Sequence, residues 1–315
     1  MIGTKINKMR LLLTGASGFL GKNFMELAPK DIEITGIYNS SKNIKNFVEE
    51  KKLSNVKLYK CDFTKKEEVE KLFKKIGKDF DYCLYLAANV NVPLSVKDPK
   101  QDFKITVTGL VNFLERCKNI NRLVYMSSTA VYDGNKGPVT VKTKLNPKVP
   151  YCKSKFAAEL YVRSFFEMKK IKNYAVIRFG GAFGPYSEKK FMSKLVKDIF
   201  VENKKEIEVY GDGANIINVM YVKDTIKALL ACLKSKKLNV TCNLGQDNRT
   251  ITDTVKNVAK AFGKQVKIKY TPKIKEQKYI GFEIDWDFNE IFNFNPEYSF
   301  EEGIKEFGKS MKNEN

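Results

Sequence analysis

The sequence predicts an α/β chain built on a doubly wound parallel sheet, with a smaller C-terminal α/β lobe. Two observations carry that expectation. Over residues 1–180 short apolar runs alternate with amphipathic, lysine-rich segments, the rhythm of units in which each strand is followed by a crossover helix. A glycine-rich turn, Thr14 to Gly21, joins the first apolar run to the first amphipathic segment.

The elements follow in order. Strands are expected at Arg10 to Thr14, Glu33 to Tyr38, Val56 to Lys60, Tyr82 to Ala87, Leu123 to Ser127 and Tyr174 to Arg178. Their apolar runs are too short for helices and are rich in Val, Ile, Leu and Tyr. Helical periodicity fills the gaps at about 19–28, 43–52, 65–76, 100–118 and 152–168. After Phe183-Gly184-Pro185 the rhythm loosens. A helix near 190–202, short apolar pieces at 207–210 and 216–222, and a helix at 224–234 precede a strand, helix and strand over 240–270. A last amphipathic helix is expected near 299–311. The resulting division is 1–180 plus about 207–245 for the sheet domain, and about 181–206 plus 246–315 for the second lobe.

Composition narrows the function classes. The 315 residues hold 57 Lys+Arg against 36 Asp+Glu, a net charge of +21, and no histidine, so every Ser-His or Cys-His catalytic device is excluded. Only six of the basic residues are Arg, and the lysines are dispersed, which reads as a solvated surface rather than a nucleic-acid site. No stretch reaches the roughly 18 apolar residues of a membrane span. Six scattered cysteines without a CxxC pair point to reduced thiols, and the expected location is the cytoplasm.

The turn Thr14-Gly15-Ala16-Ser17-Gly18-Phe19-Leu20-Gly21 is a GxxGxxG between strand and helix. Gly15 allows the tight turn, Gly18 lets a pyrophosphate approach the helix N-terminus, and Gly21 permits close helix packing. The sheet is therefore expected to be Rossmann-like and to bind a dinucleotide. An NAD site wants a carboxylate at the end of the second strand. Here Asn39, Ser40 and Lys42 offer neutral donors and a cation, which favours NADP over NAD. Asp62 and Phe63, after the third strand, are candidates for the adenine, with an N-cap role as the alternative for Asp62.

Tyr151 and Lys155 open the helix at 152–168 and share one face at i, i+4. A phenol of ordinary pKa near 10 needs neighbouring positive charge to act as a base at neutral pH, and Lys155 with a nicotinamide cation would supply it. Such a tyrosine passes a proton to or from a carbonyl or hydroxyl while a nicotinamide carries the hydride. Ser128, ending the fifth strand, would bond the same substrate oxygen.

With these segments the chain resembles the extended short-chain dehydrogenase/reductase family, the NAD(P)-dependent sugar epimerases and dehydratases. The matching stretches are TGASGFLG (14–21), CDF (61–63), YLAA (85–88), SSTAVYDG (127–134), YCKSK (151–155), RFGGAFGP (178–185), YGDG with YVKD (210–224) and NPEYSFEEGIKEF (295–307). The resemblance implies a catalytic set of Ser128, Tyr151 and Lys155, with Lys155 also on the nicotinamide ribose. It implies cofactor contacts from Gly15, Ser17, Gly18, Phe19, Leu20 and Gly21, and from Leu86, Ala87 and Ala88. The substrate side would draw on Ser128, Thr129, Tyr151, Gly181, Arg249 and Lys278. A nucleotide-sugar substrate and a homodimer through the helices at 100–118 and 152–168 are implied as well.

Departures from the family pattern sharpen the expectation. Dehydratases carry Asp-Glu directly after the catalytic hydroxyl residue, where this chain has Thr129 and Ala130. Epimerases acting at carbons 3 and 5 use a Cys there and a downstream His, and this chain has neither. The minimal set suits hydride and proton transfer at a single carbon. Gly181 replaces a common Asn, Ile217 replaces the Arg that commonly grips the diphosphate, and Thr106 replaces an Asn of the fourth helix. Lys194, Lys197, Arg249 or Lys278 could stand in for the missing Arg. Three readings remain: NADPH-dependent reduction at C4 of a nucleotide-linked 4-keto sugar, which is preferred; 4-epimerisation with tightly bound NAD; and reduction of a smaller carbonyl compound.

Overall fold

A computed structural model describes residues 8–78, 80–117, 120–135, 137–187, 190–272 and 283–313. Seven strands form one sheet in the order β3-β2-β1-β4-β5-β6-β9. They are β1 (Met9–Thr14), β2 (Ile32–Tyr38), β3 (Val56–Lys60), β4 (Tyr82–Tyr85), β5 (Arg122–Ser128), β6 (Tyr174–Phe179) and β9 (Val240–Leu244). The pairings from β3 through β1 to β5 are parallel. The order reverses between β1 and β4, so the ends of those strands form the switch point at which such sheets bind ligands. Leu11, Leu12 and Leu13 are fully buried, as expected of a central strand covered on both faces.

Helices α1 (Phe19–Leu27), α2 (Ile44–Glu50) and α3 (Lys66–Ile76) connect the first strands. In α3 the apolar stripe Val69, Leu72 and Phe73 is buried; Glu67 and Glu68 in the first turn and Lys74 and Lys75 in the last match the helix dipole.

The fourth connection departs from the single expected helix. A short α4 (Val92–Lys97) comes first; Asn91 accepts from the backbone N–H of Leu94 at 2.9 Å, and Pro93 sits in the first turn, where no internal donor is needed. Next α5 (Pro99–Phe103) runs through a π-helical turn (Lys104–Thr108) into α6 (Gly109–Arg116). Strand β4 stops two residues earlier than expected. The N–H groups of Leu86 and Ala87 donate to the Thr14 hydroxyl at 3.0 and 3.1 Å instead of entering a ladder. Helix α7 (Pro150–Glu167) begins with a proline at its first position.

Two compact units emerge. The first comprises 1–131, 147–177 and 232–241; the second comprises 132–146, 178–231 and 242–315. The core of the first gathers Leu12, Ile37, Phe73, Tyr85, Phe113, Leu123 and Phe165. In the second, β8 (Ile216–Val219) pairs antiparallel with β10 (Asp247–Thr250), and β7 (Glu206–Tyr210) pairs parallel with β11 (Lys267–Thr271). Helices α8 (Phe191–Val196), α9 (Val222–Lys234), α10 (Ile251–Ala261), α11 (Phe288–Phe292) and α12 (Phe300–Asn313) complete it. Strand β10 and helix α11 are too short for periodicity to reveal. Among the described residues no helix is long and apolar enough to cross a membrane.

Candidate active site

The glycine turn has the form a pyrophosphate requires. Gly15 has φ +69°, and Gly18 caps α1 with its N–H bonded to the Gly15 carbonyl at 2.9 Å. A Cβ on Gly21 would stand 2.4 Å from the Gly15 carbonyl oxygen and 2.7 Å from the Ala16 Cα, so only glycine lets α1 start this close to the turn. Gly18 is exposed, and a Cβ there would meet only the Gly15 oxygen at 3.2 Å. Together with a first helical turn free of acidic residues, this open backbone fits a dinucleotide phosphate. Ser17, Phe19 and Leu20 are half-buried around it.

The flanks are mixed. Leu86, Ala87 and Ala88 lie half-buried past β4, and Asn39, Ser40 and Lys42 are exposed after β2. The Asp62 carboxylate accepts from the N–H of Thr64 at 2.9 Å, and its own N–H donates to Glu68 at 2.9 Å; the N-cap of α3 is Lys65. The Phe63 ring is buried in the core, with centroids 5.3 Å from Phe113 and 6.1 Å from Tyr85. Its ring is thus committed to packing.

Tyr151 and Lys155 are both buried in α7 at i, i+4, and Ser128 ends β5. Tyr151 is hydrogen-bonded to the Ser128 hydroxyl, which also accepts from the N–H of Ala130 at 3.1 Å. Burial nevertheless pushes the Tyr151 phenol up to about 12, outweighing the Ser128 bond that favours ionisation, while Cys152 and Asp102 add to the rise. The expected lowering therefore does not come from the protein alone; positive charge on a bound cofactor is the remaining source. Lys155 is 4% exposed, donates to the Met126 carbonyl at 2.9 Å and lies 5.3 Å from the Tyr125 ring centroid. Burial lowers its pKa to about 8, opposed by the negative charges of Glu159 and Asp102.

Sequence reading missed the residues that hold this set. The Ser95 hydroxyl of α4 accepts from the Tyr151 N–H at 3.1 Å and donates to the Val92 carbonyl at 2.7 Å, so α4 caps the start of α7. Glu159 is fully buried and accepts from the Ser127 hydroxyl at 2.6 Å. Its signal was available: Tyr151, Lys155 and Glu159 repeat at i, i+4, i+8 on one helix face. Asp102 and Asn89 are buried with a 2.7 Å bond between them. Thr129 and Ala130 are buried and offer no acid or base.

In the second unit, Gly180 and Gly181 pass beneath Trp286 and Asn218. A Cβ on Gly180 would lie 2.7 Å from the indole, and Gly181 has φ +150° with its Cβ position 3.0 Å from the Asn218 carbonyl, so the family's Asn is replaced where a side chain is strained. Arg249 pairs with Ile217 across β10 and β8, stacks 4.3 Å from the Phe300 centroid and reaches Asp247 at 3.3 Å. Lys278 lies outside the described residues.

Residues 11–245 match the NAD dependent epimerase/dehydratase family. The chain belongs to that family. A Methanocaldococcus jannaschii protein provisionally named UDP-glucose 4-epimerase is 29% identical over 97% of this chain and 99% of its own. The UDP-glucuronate 4-epimerase of Thermodesulfobacterium geofontis is 26% identical over 93% of each chain. Among solved structures, the UDP-N-acetylglucosamine 4-epimerase of Methanobrevibacter ruminantium, in complex with UDP-N-acetylmuramic acid, aligns with a TM-score of 0.86 at 25% identity, over 98% of this chain and 99% of that one. Membership of the epimerase/dehydratase family makes this chain an enzyme of sugar-nucleotide chemistry and makes NAD dependence its coarse cofactor assignment.

Proposed function

We propose that the protein is an NAD-dependent UDP-sugar 4-epimerase. The observation that carries this is the bare set of Ser128, Tyr151 and Lys155, with buried Thr129 and Ala130 where elimination would need an acid and a base. It is supported by relatives that bear 4-epimerase names across nearly their whole length. One-way reduction with NADPH has for support only Asn39, Ser40 and Lys42 where a carboxylate would mark NAD, and the relatives favour epimerisation over it.

Gly15, Gly18 and the start of α1 would hold the pyrophosphate, and Lys155 the nicotinamide ribose. NAD held there would supply a reversible hydride acceptor for the carbon-bound hydrogen at C4. As a phenolate, the form that positive charge on a bound cofactor would favour, the Tyr151 oxygen would take the proton of the C4 hydroxyl and give it back when the carbon is reduced again. Ser128 orients that same oxygen. Arg249 is the proposed diphosphate contact of the second unit. The helices assigned to a homodimer expose Phe103, Leu160 and Tyr161, and six buried free cysteines suit a reducing cytoplasm.

The test is incubation of the NAD-loaded protein with UDP-glucose, UDP-N-acetylglucosamine and UDP-glucuronate, with products followed by NMR. Conversion of at least one to its C4 epimer without net change in NADH is expected. Stoichiometric consumption of NADPH with a 4-keto sugar, or no epimer from any of the three, would overturn the assignment.

A further inference from the structure

Lys155 is a buried ammonium whose protein hydrogen bond runs to the Met126 carbonyl, and a single neutral acceptor offsets little of the cost of burying a charge. A counter-charge is needed nearby. Glu159, on the same face of α7, is the first such charge, and it is shared with Ser127 and with Arg163 at 3.4 Å. A further buried carboxylate is Asp102, at 1% exposure, on α5, which packs against α7 together with the π turn that follows it. Asp102 Oδ1 accepts from Asn89 Nδ2 at 2.7 Å, and Asn89 is itself tied to the π turn through its N–H to Thr106 Oγ1 at 3.3 Å. Asp102 Oδ2 is buried and takes no hydrogen bond from any described residue. A carboxylate oxygen left this way is costly unless a nearby cation compensates it.

We propose that Asp102 is a positioning residue for the reaction: fixed by Asn89 at the head of the π turn, its carboxylate is a second counter-charge, added to that of Glu159, that keeps Lys155 an ammonium beside Tyr151. The charges it acts on are those of Tyr151 and Lys155 from α7 and Tyr125 from β5, whose hydroxyl is buried without a partner among the described residues. Cys152 and Glu159 complete the titratable surroundings of the Tyr151 and Lys155 pair. The negative charge of Asp102 acts in opposite senses on the two functions: it holds the ammonium charged and disfavours a phenolate. The device therefore keeps the pair protonated until a cofactor brings its own positive charge.

The assignment rests on the reading of Tyr151 and Lys155 as the proton-transfer pair, but its test does not need turnover. Lysine labelled with 13C at Cε is followed by NMR against pH in cofactor-free protein, the Lys155 signal being the one absent from Lys155→Met. Asp102→Asn keeps the shape and the Asn89 bond and removes the charge. Its Lys155 midpoint is expected to fall by about one pH unit, and Asp102→Glu is expected to restore most of it. Asp102→Ser, which also removes the charge, should behave as Asp102→Asn does and serves where that variant does not fold. An unchanged midpoint in the neutral variants, or an equal fall in Asp102→Glu, would overturn the proposal. With UDP-sugars and NAD the alkaline limit of turnover in Asp102→Asn should move down alongside the NMR midpoint. A midpoint that falls in a protein without epimerase activity would sink the functional reading and leave the counter-charge standing.

Discussion

Arg249 stands directly across the β8–β10 ladder from Ile217, the position at which the family commonly carries its diphosphate arginine. Residues paired this way bring their Cβ atoms to about 5 Å, so a guanidinium can be supplied from either strand to one neighbourhood. Stacking on Phe300 and the Asp247 carboxylate fix its direction. Arg249→Ala should weaken UDP binding by roughly 10- to 100-fold, the worth of one charge-assisted contact, with little change in melting temperature. Placing arginine at 217 in that background should recover part of the affinity. Calorimetric titration with UDP measures both, and full affinity in Arg249→Ala would remove the residue from the site.

Tyr151→Phe deletes one hydroxyl and almost no packing. Turnover should drop by about 100-fold or more, the usual worth of a positioned acid and base, while dinucleotide affinity stays within a few fold. Fluorescence titration with the dinucleotide and an epimer assay separate the two effects. Retained turnover would mean that another group moves the proton.

Lys155 links stability to pH with an unusual sign. Its native pKa is about 8 against an ordinary 10.5, so between those values the unfolded chain holds a proton that the native chain has released. Stability should therefore rise with pH through that window, and below about 8 the full cost of the buried ammonium, on the order of 3 kcal/mol, applies. Tyr151, raised to about 12 by burial, opposes this trend only above its ordinary value of 10.0. Urea unfolding of cofactor-free wild type and Lys155→Met from pH 7 to 10 reads the effect. The advantage of the variant should shrink as pH rises; a constant difference would contradict the burial argument.

Ser95 makes its contribution through α7. Ser95→Ala leaves the Tyr151 N–H without its acceptor and should cost about 1 kcal/mol, as helix-cap losses do, or roughly 2 °C in melting temperature. A several-fold fall in kcat with unchanged NAD content is expected, because the backbone that aims Tyr151 loosens. Calorimetry and steady-state kinetics check both numbers. Wild-type behaviour in each would show that Pro150 alone fixes the helix start.

The parallel sheet and the placing of Tyr151 and Lys155 on one helix face were legible because their signals are local. A buried parallel strand must be a short apolar run, as Leu11 to Leu13 are, and a pair on one helix face must be spaced as Tyr151 and Lys155 are. Glu159 obeys the same spacing and could have been read. Residues 92–97 could not, since Pro93 argues against helix unless the cap at Asn91 is known.

What the sequence by itself determined is therefore the chemistry on offer: a glycine turn suited to a phosphate-bearing ligand, a tyrosine and lysine at i, i+4, and no acid or base after Ser128. Tertiary structure alone decided the electrostatics and the supports. Burial, not the neighbouring ammonium, dominates Tyr151; Phe63 belongs to the core; Ser95 reaches α7 from a distant position in the chain, as Asn89 reaches Asp102; and Arg249 meets Ile217 through strand register. Each of these depends on desolvation or on contacts between remote segments, and neither quantity is carried by the identity or spacing of nearby residues.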